Sequence, residues 1–135
     1  LNCAATPGIR RDSRLLSPKS EWRLGPLANP LELLQPWLEA YQSALCEPLP
    51  LLAKCSVVFA KKWRNPGRKE PIDAARSEAA LMWQGNEHMS GEGDDPWNAL
   101  AFRDREVLDE RFEALAEQLY GPALDALHSE EEDEA

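Results

Sequence analysis

Apolar residues recur at Leu31, Leu34, Leu38, Tyr41 and Leu45, at spacings of three and four that place them on one face of a helix. Asn29-Pro30 is a helix start, because asparagine accepts hydrogen bonds from free amides and proline is tolerated at the first helical position. Pro36 lies inside the pattern and costs about 3 kcal/mol in a helix interior. Either the helix kinks there, or a single turn precedes a helix that begins at Pro36. Glu47-Pro48 ends it, since a residue before proline is pushed out of helical geometry. Residues 51–64 are apolar first and basic later. A helix is favoured there over a strand, with Phe59 and Trp63 four apart on one side. Asn65-Pro66-Gly67-Arg68-Lys69 reads as a loop.

Pro71 then opens a helix through Ile72, Ala75, Ala79 and Met82 that ends near Gly85. A loop of glycines and carboxylates follows, and Asp95-Pro96 starts a short helix through Trp97, Leu100 and Ala101. A longer helix is predicted from Glu106 to Leu119 with the stripe Leu108, Phe112, Leu115 and Leu119, closed by Gly121-Pro122, with one last turn over 123–127. Glu21-Trp22-Arg23-Leu24 alternates polar and apolar and reads as the end of a strand. The chain is therefore expected to be mainly α, with one or two short strands. Trp37, Trp83 and Trp97 fall in helical segments and are expected in the core; Trp22 and Trp63 are open.

The 135 residues suit one small domain. Residues 21–128 carry the periodic segments. Residues 1–20, with Pro7, Gly8, Pro18 and several arginines in no period, read as a flexible entry segment. Residues 129–135 read as a disordered acidic tail, because the five carboxylates from Glu130 to Glu134 repel one another. The net charge of -9 is uneven: residues 1–69 hold 11 Lys/Arg against 5 Asp/Glu, and residues 70–135 hold 4 against 19. The acidic half repels phosphate, so any nucleic-acid contact is expected from the first half. No secretory signal is visible and no apolar run approaches the ~18 residues of a membrane span, so a cytoplasmic location is expected.

Cys3, Cys46 and Cys55 have no zinc-ligand spacing and read as free thiols. His88, Glu92, Asp94 and Asp95 form a cluster whose oxygens suit a hard cation. Asp94 or Asp95 ahead of Pro96 has a simpler job as a cap for the next helix, and that reading is preferred. Gly85, Gly91 and Gly93 lack the Gly-Lys-Ser/Thr of a phosphate loop, and no nucleophilic triad surrounds His88 or His128. No catalytic residue, cofactor or metal is assigned. Lys54, Lys61, Lys62, Arg64, Arg68 and Lys69 interleave with Phe59 and Trp63. Such residues neutralise phosphates and stack on bases, which makes them the DNA- or partner-binding candidates. The competing reading is a solvated basic face with the two rings in the core.

Two stretches carry a resemblance: Pro48-Leu49-Pro50 behind the first helix, and Trp83-x-Gly85 followed by Gly91-Glu92-Gly93-Asp94-Asp95-x-Trp97. Together they resemble the C-terminal end of the RecC family, the gamma subunit of exodeoxyribonuclease V, from about Trp22 to Leu127. Leu51-Leu52 stand where that family usually places a phenylalanine. The resemblance implies a polypeptide many times longer and the helical portion of an α/β nuclease-like domain that lacks catalysis. It also implies RecB-like and RecD-like partner subunits and a role in DNA-end handling during double-strand-break repair and recombination. Active members of that nuclease fold need an acid two residues before a lysine, so that carboxylate and amine meet at the metal-bound water. The positions two before the five lysines are Ser17, Leu52, Phe59, Ala60 and Gly67, none acidic. Two other readings remain open: a metal-dependent nuclease using Glu92, Asp94 and Asp95, and a free-standing helical protein-interaction adaptor.

Overall fold

Cys55, Ser56, Phe59 and Ala60 are two adjacent pairs four residues apart, and all four are closed to solvent, so one helix forms the axis around which the rest is packed. The computed structural model describes residues 6–9, 12–18, 20–26, 29–65, 67 and 70–129. In chain order the elements are β1 (Ser13–Ser17), β2 (Ser20–Leu24), α1 (Pro30–Ala44), α2 (Ala53–Arg64), α3 (Pro71–Gln84), β3 (Gly85–Asn86) and β4 (Met89–Ser90). A 3-10 turn at Glu92–Asp94, then α4 (Pro96–Ala101), α5 (Glu110–Asp125) and β5 (Leu127–Ser129) complete the described fold. The protein is mainly helical with a few short strands, as the periodicity predicts.

Helix boundaries follow local chemistry. Pro30, Pro71 and Pro96 each stand in a first turn, where the missing amide is not needed. Asp109 accepts a hydrogen bond from the Phe112 amide at 2.9 Å and caps α5, which begins at Glu110, four residues later than the predicted start at Glu106. Gly85 ends α3 with φ at 69°, a conformation that a side chain resists.

Around α2, the small residues Ala75 and Ala79 let α3 approach closely, while Phe112 and Ala116 face it from α5. Phe59 meets Phe112 edge to face at 5.5 Å, the favoured geometry for two rings. Leu52, Phe102 and Val107 close the ends of this cluster. Each of its large side chains contributes about 1.5–3 kcal/mol by leaving water.

A second layer ties the two ends of the described chain together. Strands β1, β2 and β5 form an antiparallel sheet in that order, with Leu15 opposite Trp22 and Leu24 opposite Leu127. β1 lies where no period marks a strand, and β5 begins at Leu127, where one more helical turn is predicted. Cross-strand pairing with β2 decides both, which residue spacing within one segment does not reveal.

Further differences concern helices. α1 runs unbroken through Pro36, and Asn29 supplies its carbonyl to Leu33 at 3.2 Å rather than a side-chain cap. Pro36 forgoes one helical bond and borders a groove of about 240 Å³ lined also by Ala114, Leu115 and Gln118 of α5. α5 likewise continues through Gly121-Pro122 to Asp125. The stripe predicted to bury α1 is largely exposed: Leu31, Leu38, Tyr41 and Leu45 face outward, and Ala40 is the buried residue of the helix. Trp37 reaches α5 instead, with its ring 5.8 Å from Tyr120. Trp97 is 76% exposed rather than in the core, because α4 is a short helix turned outward behind its cap. Trp83 packs against the core cluster, as expected of it.

Ser56 Oγ is buried with no hydrogen-bond partner among the described residues. A hydroxyl in that state forfeits its hydration without return. Ser56→Ala is expected to raise stability by about 1 kcal/mol, read as a later midpoint in urea unfolding with an unchanged slope.

Candidate functional site

Helix α2 follows Pro48-Leu49-Pro50, and its cap position is Leu52, in extended backbone with a side chain that has no oxygen to offer. The free amides of the first turn are satisfied from far along the chain. Glu92 Oε1 accepts the Lys54 amide at 3.0 Å, and Oε2 accepts the Cys55 amide at 2.9 Å. Both carboxylate oxygens thus meet the positive end of the helix, where a negative charge is favoured. One of the two stretches that carry the sequence resemblance thus caps the helix that follows the other.

The loop that delivers Glu92 is held by close backbone contacts. A Cβ on Gly91 would come within 2.2 Å of the Trp83 carbonyl, and one on Gly85 within 2.3 Å of the Gly91 amide, so no side chain fits between the strands β3 and β4. Asp94 Oδ2 accepts the Gly91 amide at 2.8 Å, and Gly93 lies against the Trp83 indole. Asp95 Oδ1 accepts the amides of Trp97 at 2.9 Å and Asn98 at 3.2 Å, the capping role predicted for an acid before Pro96. Asn98 Nδ2 donates back to the Glu92 carbonyl at 2.9 Å. Glu92, Asp94 and Asp95 therefore turn to three different backbone targets. They do not converge on a common point, and His88 sits in the exposed turn between β3 and β4. The described residues contain no group of three or more His, Cys, Asp or Glu arranged to hold a metal ion.

The same carboxylate shapes its neighbours. Burial, then the hydrogen bond and the charge of Glu92, push the Cys55 thiol far above its usual range. Cys55 is therefore held as a thiol, unsuited to nucleophilic work. Burial, and to a lesser extent Glu92, also raise the Tyr120 phenol.

The basic candidates are divided by the fold. Lys54 and Lys61 are exposed and seven residues apart, which puts them on one face of α2. Lys62 is half-buried, and Trp63 is 40% exposed with its ring stacked on Phe59 at 6.0 Å. Arg64 turns inward: its Nη1 donates to Glu117 at 2.7 Å and to the Ala60 carbonyl at 3.1 Å, while Nε and Nη2 fork the Asp125 carboxylate. A Cβ on Gly121 would meet Arg64 Nη2 at 2.5 Å, so the glycine inside α5 makes room for this guanidinium. Arg68 and Lys69 lie outside the described residues, as do Cys3 and residues 130–135 of the acidic tail. Sequence reasoning missed Arg64 as an internal clasp. Glu117 and Asp125 stand eight apart on one face of α5, which is the signal that could have indicated it.

No family model matches this chain. It is 30% identical over 125 residues to the RecBCD enzyme subunit RecC of Escherichia coli. That similarity covers 86% of this chain and 11% of RecC, so the chain spans about a tenth of the length of the relative it matches. The protein contains a RecC-like region. No described helix is long and apolar enough to cross a membrane.

Replacing Glu92 by alanine is expected to cost about 2 kcal/mol, the loss of a cap plus two stranded amides. Glu92→Gln, which keeps one acceptor oxygen, costs less. Urea unfolding gives the difference, and hydrogen exchange at the Lys54 and Cys55 amides should accelerate first in Glu92→Ala.

The Arg64 hydrogen bond, and secondarily its charge, hold the Asp125 carboxyl below its usual range. Because the folded pKa is depressed, the pair contributes stability above the ordinary carboxylate range, near pH 4, and loses it as pH falls through the folded value. Asp125 is 62% exposed, so the contribution is at most about 1 kcal/mol. The stability difference between the protein and Asp125→Asn, measured by unfolding at a series of pH values, is expected to be present at pH 6 and to vanish in acid.

Proposed function

We propose that the protein acts as a non-catalytic segment of a RecC-like subunit in a RecBCD-type helicase-nuclease. In this reading it serves double-strand-break repair and recombination in the cytoplasm, through contacts with RecB-like and RecD-like subunits and with DNA ends. The observation that carries the reading is the 30% identity to RecC across 86% of the chain. The capping roles of Glu92 and Asp95 are consistent with it, because they commit these acids to building the domain. The fold is then the helical part of a nuclease-like domain without catalysis. The competing metal-dependent nuclease would need Glu92, Asp94 and Asp95 on one ion, against the geometry described above.

Two surfaces are assigned within this reading. Trp97 and Leu100, 76% and 58% exposed on α4, offer a partner subunit the kind of aromatic anchor that dominates interfaces. Lys54 and Lys61, with Lys62 beside them, face phosphates, and Arg64 does not take part. Purification of the native protein tests the assembly: it is expected to bring down two helicase subunits together with ATP-dependent exonuclease activity. Recovery free of both would refute the reading.

For the DNA contact, Lys54→Glu with Lys61→Glu is expected to weaken DNA binding and to lower the slope of log affinity against log salt by about one per lost phosphate contact. Arg64→Gln is expected to leave that slope unchanged while lowering stability. Equal salt slopes for the double variant and the parent would rule out a phosphate contact at these lysines.

A further inference from the structure

We draw no further inference here: the strongest candidate, the exposed apolar face of helix α1 formed by Leu31, Leu38, Tyr41 and Leu45, carries nothing because nothing in the structure shows what covers it.

Discussion

The fold depends on one carboxylate crossing the chain. Helix α2 is the axis of the core, yet it begins behind Pro50-Leu51-Leu52 with no residue of its own that can receive its free amides. Glu92 supplies both acceptors from 37 and 38 residues away. A capped end of this kind is worth about 1–2 kcal/mol, against a total stability of about 5–15 kcal/mol for a domain. Its structural consequence exceeds its energy, because the bond fixes where α3 must stop and how tightly the chain must return. Gly85 turns the chain out of α3, Gly91 permits contact with the Trp83 carbonyl, and Asp94 ties the Gly91 amide. A loop of another length would carry the carboxylate past its targets.

This accounts for what could be read from the residues and what could not. Helices with a local start signal were legible: Pro71 and Asp95-Pro96 mark α3 and α4, and Gly85 marks the end of α3. Interior prolines misled, since Pro36 and Pro122 both sit within continuous helices. Their penalty is local, while packing of α1 against α5 is a tertiary gain invisible to a count of spacings. Strands β1 and β5 were missed for a related reason, as each exists by pairing with β2 rather than by its own pattern. At the candidate site Asp95 was legible as a cap because its target follows directly. Glu92 was not, because its targets lie on a distant segment.

The uneven charge of the sequence has a partly internal explanation. Arg64 of the basic half clasps Glu117 and Asp125 of the acidic half, and Arg111 of the acidic half pairs with Glu47 of the basic one. Arg76 joins Glu113, and so ties α3 to α5. These pairs are mostly exposed and each adds little to stability, but they orient α5 against α2 and α3. Lys54, Lys61 and Lys62 form no ion pair among the described residues, which narrows the basic surface left for an outside partner to one end of the original cluster.

The residues that make this chain recognisable are thus largely occupied in building it. Gly85, Gly91, Glu92, Gly93, Asp94 and Asp95 serve a turn, a close approach, a ring contact and three sets of amide acceptors. Trp97 is the exception, a recognisable position whose side chain the fold does not use. A motif that specifies architecture locates a domain without locating its action. The surfaces with unmet physical demands are elsewhere: a lysine pair on α2, an exposed indole on α4 and the apolar stripe of α1. The lysines stand on the core helix itself, α1 packs against α5 through Trp37 and Tyr120, and α4 is held by the Glu92–Asp94 turn through Asn98, so a partner bound at any of the three would meet a helix tied to the rest of the fold.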